Sequence, residues 1–256
     1  MSVPAGGYYL YGFVRSRDLP PEPVGGGVGE PPGPVEGIAE GEVAALVTPV
    51  GTERVAPRRV NLLAHADVVR KAFERGPVLP LRFGFMMPDA AAVQMEIAGR
   101  AAELTGLLAE MEGRVEMNVN ALYHEDVMLR EVLSENPAIA AAQRRIRGRP
   151  AAAVHFERIR LGEQVAQAVD AKRATDAAAV LRELEGLAVS VTADDPRQMC
   201  TVVNASFLVE RDRLEEFDAA VERLSRERAQ RMEFRLIGPG PPHSFVGTPP
   251  SMIGAR

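Results

Sequence analysis

Val115-Glu116-Met117-Asn118-Val119-Asn120-Ala121 alternates apolar and polar residues without a break. A period of two predicts a strand with one face turned to a core. After it, charged and alanine-rich helical sequence fills 126–147 and 151–185, interrupted at Asn136-Pro137 and at Gly148-Arg149-Pro150. Leu187 to Thr192 reads as a strand. Asp194-Asp195-Pro196 reads as a turn, because Asp bonds the local backbone and Pro presets φ. Thr201 to Val209 is a further strand. The helix expected over 212–231 carries a narrow stripe of Leu214, Phe217, Val221 and Leu224, with acids at its front and arginines at its rear, as the helix dipole favours. A strand at Met232 to Ile237 completes the order β-α-β-β-α-β, which is the ferredoxin-like order.

The first half is less regular. Tyr8 to Val14 is rich in aromatic and β-branched residues and predicts a strand. Pro20 to Pro34 alternates prolines with glycines, predicting a mobile surface loop. Val43 to Val47 is a second strand. Asn61 to Glu74 predicts a helix with Leu62, Ala66, Val69 and Phe73 on its inner face. Val78 to Met87 reads as a strand in which Pro80 marks an edge or a bulge. Asp89 caps a helix expected to run from Ala90 to Glu112. The expected architecture is α+β with two domains, 1–112 and 113–238, followed by a Pro/Gly-rich tail, 239–256.

Composition narrows the function classes. The chain has 256 residues, with 30 Lys and Arg against 35 Asp and Glu, and a pI near 5.6. That balance disfavours a broad nucleic-acid footprint. One cysteine, Cys200, excludes an internal disulfide and any multi-cysteine zinc site. The residues from Met1 show no positively charged leader, and no apolar run approaches a membrane span, so a cytoplasmic protein is expected.

No catalytic constellation stands out. The glycines at 25–33 lack the Gly-Lys-Ser/Thr ending and the following helix of a phosphate loop. His65 has Val69, not a second His, one turn on. His124, before Glu125-Asp126, and His155, among arginines, fit structural roles better than metal ligation. Asp194-Asp195 is a turn before it is an acid–base pair. No cofactor or metal is expected.

Two segments need more than a bland reading. Val78-Leu79-Pro80-Leu81-Arg82-Phe83-Gly84 sets one arginine inside an apolar strand, so Arg82 is expected to be buried and paired. Gly238-Pro239-Gly240-Pro241-Pro242-His243-Ser244-Phe245-Val246 favours extended geometry and suggests a tail docked through Phe245.

Together with Tyr9-Leu10-Tyr11-Gly12-Phe13-Val14, Ala64-His65-Ala66-Asp67-Val68-Val69 and Asn204-Ala205-Ser206-Phe207-Leu208-Val209, these segments resemble the gas vesicle protein F/L family (GvpF/GvpL) over nearly the whole chain. The family tail usually reads Gly-Pro-Trp-Pro-Pro-Tyr-Ser-Phe. Here Gly240 stands in place of the Trp and His243 in place of the Tyr, and Phe85 follows Gly84 where a smaller residue is usual. The resemblance implies a modified ferredoxin-like N-terminal domain. It also implies a non-catalytic accessory protein that contacts the hydrophobic shell protein and other accessory proteins during gas vesicle assembly. The residues it singles out as interaction or fold-motif candidates are His65, Leu79, Pro80, Arg82, Phe83, Gly84, Gly238, Pro239, Pro241, Pro242 and Phe245. The alternative is a haem- or small-ligand-binding enzyme on tandem ferredoxin-like domains, with His65, His124 or His155 as axial ligand.

Overall fold

The computed structural model describes residues 7–246 except 22, 24, 53, 196 and 197, with residue 151 described by its backbone alone. Pro196 of the expected turn and part of the glycine–proline stretch therefore lie outside the described residues. The chain forms two compact units, one within Met1–Glu116 and Pro239–Arg256, the other within Met117–Gly238. Both combine helices with an antiparallel sheet.

The first unit is built around β1 (Tyr8–Arg15), whose six inner residues are all buried. β3 (Val43–Pro49) pairs along one edge of it, and β2 (Glu36–Glu40) extends the sheet beyond β3. β4 (Val78–Pro80) and β5 (Met86–Met87) pair along its other edge. The ladder with β3 steps from Leu10 opposite Val47 to Gly12 opposite Leu46, leaving Tyr11 as an extra residue. That bulge lets Tyr9, Tyr11 and Val14 join one core cluster despite the odd spacing from 11 to 14. The helix α1 (Arg59–Arg75) covers this face through Val68, Val69 and Ala72. The helices α2 (Ala90–Gly99) and α3 (Ala101–Met111) also pack on the sheet and bury Val93, Ile97, Leu104 and Leu108.

Three helix and strand expectations for this unit need correction. The α1 face is rotated by about one residue: Asn61, His65, Val68, Val69 and Ala72 are buried, while Leu62 and Ala66 are exposed. The continuous strand Val78–Met87 is two short strands around a turn at Phe83–Gly84, where Gly84 has φ +104°. The helix Ala90–Glu112 breaks at Gly99–Arg100 into two. Its start is as expected, with the Ala92 amide donating to Asp89 Oδ1 at 2.7 Å.

The second unit has strand order β7-β8-β6-β9, with β6 at Arg114–Tyr123, β7 at Ser190–Ala193, β8 at Thr201–Glu210 and β9 at Met232–Gly240. β6 buries every second residue from Val115 to Tyr123, as the alternation requires. The expected strand at Leu187–Thr192 is shorter and shifted to Ser190. The helices α6 (His155–Glu185) and α7 (Leu214–Arg228) pack on β8, with Phe217 of α7 against Phe207 at a ring distance of 5.2 Å. Between β6 and α6 come α4 (Glu125–Glu135) and α5 (Pro137–Ile146), separated at Asn136-Pro137 as expected.

One charged network fastens these helices to the sheet. Arg231 donates to Glu131 of α4 at 2.8 and 3.0 Å and to Asp176 of α6 at 2.8 Å. Asp176 also accepts from the Tyr123 hydroxyl at 2.6 Å, and Lys172 bridges Glu131 and Glu135. Although burial opposes it, donation from Tyr123 and Arg231 holds the Asp176 carboxyl below its ordinary value. Replacing Arg231 by methionine leaves Asp176 with Tyr123 alone and Glu131 with Lys172 alone, and is expected to cost about 1–3 kcal/mol in chemical denaturation.

Candidate functional site

The first unit encloses a buried polar knot built from residues that are distant in sequence. α1 delivers His65, which is 6% exposed. Its Nε2 lies 3.1 Å from the Leu81 carbonyl and its Nδ1 lies 2.8 Å from the Tyr9 hydroxyl. A carbonyl only accepts, so Nε2 carries the proton, and Nδ1 then accepts from Tyr9. Tyr9 in turn accepts from the Gly84 amide at 3.2 Å. The His65 ring nitrogens and the Tyr9 hydroxyl are all satisfied with the imidazole neutral. Burial pushes the His65 pKa down from 6.5 to about 4, opposed by the Leu81 hydrogen bond, with a further push down from His243. Burial raises Tyr9 well above the ordinary tyrosine range. Tyr9, Tyr11, His65 and Phe83 pack ring against ring at 5.0–5.8 Å.

A second set of bonds ties in the glycine–proline stretch. The Tyr11 hydroxyl accepts from the Val28 amide at 2.8 Å and meets Thr48 Oγ1 at 2.8 Å. Asn61 Oδ1 accepts from the Gly29 amide at 3.1 Å, and Asn61 Nδ2 donates to the Ala56 carbonyl at 3.0 Å. Val28 is fully buried in the core cluster. The expectation of a mobile surface loop is therefore wrong for Gly27 to Gly29, a short plug fastened to the sheet and to α1, while Glu30, Pro31 and Pro32 lie at the surface as expected. Composition said only that it could be neither helix nor strand. Tyr9, Tyr11, Val28, Thr48 and Asn61 were not among the candidate site residues; the one available signal was the burial-prone tyrosine pair in β1, which entered only as part of a strand motif.

The candidates at 79–84 divide by role. Leu79 is buried opposite Phe13, and Pro80 faces Gly12. Leu81 and Gly84 supply the backbone groups that His65 and Tyr9 need, and Phe83 closes the ring cluster. Arg82 is the exception. It is exposed and makes no ion pair among the described residues, so the expected buried, paired arginine is corrected. The strand ends at Pro80, and the turn that follows points this side chain outward.

In the tail, Gly238 takes φ +136° and Pro239 lies inside β9. Pro242 is buried, while Pro241 and Phe245 are half-buried. Ser244 clasps Glu116 twice, through its amide at 2.8 Å and its hydroxyl at 2.7 Å. Of the other histidines, His124 Nε2 donates to the Ala229 carbonyl at 3.1 Å, and His155 is exposed. Among the described residues no cluster of three His, Cys, Asp or Glu side chains could hold a metal, and no helix is long and apolar enough to cross a membrane.

The chain matches known proteins over nearly its whole length. The model of the family described as gas vesicle synthesis protein GvpL/GvpF matches residues 7–247. The chain belongs to the GvpL/GvpF family. A gas vesicle protein F from Streptomyces sp. is 35% identical over 238 residues, covering 93% of this chain and 98% of that one. Gas vesicle protein F1 of Halobacterium salinarum is 22% identical over 93% of this chain and 92% of its own length. Two crystal structures of GvpF share the fold at 22% identity. The one from Anabaena sp. superposes with TM-score 0.79 over 95% of this chain and 99% of that one, and the one from Microcystis aeruginosa with 0.75 over 96% and 100%. GvpL/GvpF membership supports a role for this chain in gas vesicle formation.

Proposed function

We propose that the protein is a non-catalytic assembly factor of the cytoplasm that covers the hydrophobic gas vesicle shell protein before it is built in, and that also meets other accessory proteins. The observation that carries this reading is the match to gas vesicle protein F over nearly the full length of both chains. The polar knot supports it chemically. Both ring nitrogens of His65 are engaged and each tyrosine hydroxyl has its own partners, so the knot reads as a fastening and leaves His65 no free nitrogen for a haem iron. The strand order of the second unit, β9-β6-β8-β7, is compatible with the ferredoxin-like fold that the reading takes for it.

Unassembled shell subunits expose apolar surface that aggregates unless it is covered. A matching apolar surface lies at the opening turn of α1, where Val60 is 52% and Leu63 58% exposed beside the exposed Leu62. In this reading the knot holds α1 so that this turn stays presented, and Arg82 contributes an exposed cation. Co-purification with the shell protein tests it. Val60→Asp with Leu63→Asp is expected to abolish capture, and Arg82→Ala to weaken it, with thermal melting unchanged in both. A strain lacking the gene should form no vesicles; full vesicles in that strain would sink the reading.

A further inference from the structure

Residues 136–162 hold six arginines against a single acid, Glu157, in a chain whose net charge is −5. The rest of the chain is thus more acidic still. The six bracket one connection in the second unit. Arg144 and Arg145 end α5, Arg147 and Arg149 flank Gly148, whose φ of +78° turns the chain, and Arg158 and Arg160 lie in the opening turns of α6. α5 packs against α6. Arg149 meets Glu157 at 3.5 Å, and among the described residues the other five form no ion pair. Arg144 and Arg145 have an ordinary explanation, since cations at a helix C-terminus complement its dipole. Arg158 and Arg160 have none, because they add positive charge near the positive end of α6.

The same turns carry a second anomaly. Phe156 is 81% exposed and Ile159 47%, three residues apart and so on one face of the helix. From His155 to Arg160 every residue of α6 is exposed. Leaving a phenyl ring in water beside uncompensated cations breaks two local rules at one place, with no gain to the fold.

We propose that this end of α5 and α6 is a docking surface for an acidic, amphipathic helical segment of another protein. Phe156 and Ile159 anchor its apolar stripe, and the arginines meet carboxylates along its rim. Charge complementarity selects the occupant. Two apolar side chains are too few for a stable bilayer anchor, and the acidic remainder of the chain repels an anionic membrane and nucleic acid alike. The surface belongs to the second unit and stands whether or not α1 binds the shell protein.

The test uses the full chain and a fluorescent synthetic amphipathic peptide of glutamate and leucine, read by anisotropy. Saturable binding is expected, weakened by added salt because the contacts are exposed. Arg158→Glu with Arg160→Glu, and separately Phe156→Ser with Ile159→Ser, should each weaken binding roughly tenfold or more, as for charged and aromatic anchors elsewhere. A scrambled peptide of the same composition should bind less. All these positions are exposed, so circular dichroism melts should match the parent. No binding, or binding that both double variants leave intact, overturns the proposal. So does capture of phosphatidylserine vesicles or duplex DNA through these same residues, or concentration-dependent self-association that Phe156→Ser abolishes.

Discussion

Replacing His65 by alanine is expected to lower the unfolding free energy at neutral pH by about 3–5 kcal/mol, the sum of lost packing and of two buried groups left unpaired. The Tyr9 hydroxyl loses its acceptor and the Leu81 carbonyl its donor. The parent protein carries a pH signature that this variant should lack. The unfolded imidazole takes up a proton near pH 6.5, whereas the folded one refuses it until about pH 4. Between those values the unfolded state binds more protons, so stability falls as pH falls. The His65 contribution is whole above pH 6.5, and by pH 4 about 3 kcal/mol of it is gone. Paired carboxylates such as Asp176 and Glu131 lose stability at lower pH, and do so equally in both proteins. Urea titrations of the parent and His65→Ala at pH 7, 5.5 and 4.5 separate the two sources. Parallel pH profiles would show that His65 is charged, or free to become so, in the folded state.

Gly12→Val is expected to be comparably damaging, by about 3 kcal/mol or more, because neither strand can yield. A Cβ built on Gly12 would lie 2.6 Å from the Leu79 carbonyl oxygen, with the Pro80 Cα at 3.1 Å. The close approach of β1 and β4 thus requires a residue without a side chain, next to the bulge that admits Tyr11. Gly162→Ala is the matching control. It lies inside α6 with nothing within 4 Å of the added carbon, and should raise stability by about 0.5–1 kcal/mol. Thermal melts of the two variants decide the matter; a parent-like Gly12→Val would mean that the β1–β4 contact is looser than described.

How much was legible depended on whether a residue's partner was local. β6 announced itself because one face is buried and the other is not, so its alternation survives in the sequence. The stripe of α7 was equally clear, and Phe217, Val221 and Leu224 are buried as expected. On α1, two apolar sets at the same period compete, about 100° apart. Hydrophobicity chose Leu62 and Ala66, but the fold chose Asn61 and His65, two polar residues that are buried because hydrogen bonds await them from Gly29, Tyr9 and Leu81. Those partners come from three other segments, and no pattern within the helix could show them. β2 went unread because its residues are mostly exposed and Gly37 interrupts any β signal. The docked plug went unread because glycine and proline say what a segment cannot form and nothing of what it touches. The expected buried Arg82 failed for a related reason: a turn inside an apolar run turns one side chain outward without changing the composition.

The clasp of Ser244 on Glu116 has a bearing on how the chain is made. Its two halves are 128 residues apart, and all of Met117–Gly238, the second unit apart from the outer ends of β6 and β9, is synthesised between them. On a ribosome the second unit can therefore finish folding while the first still waits for its last segment. Until those residues emerge, the nascent first unit holds β1, α1 and their polar knot but not the segment that bonds Glu116. The order of completion along the polypeptide is thus the reverse of its order in the sequence.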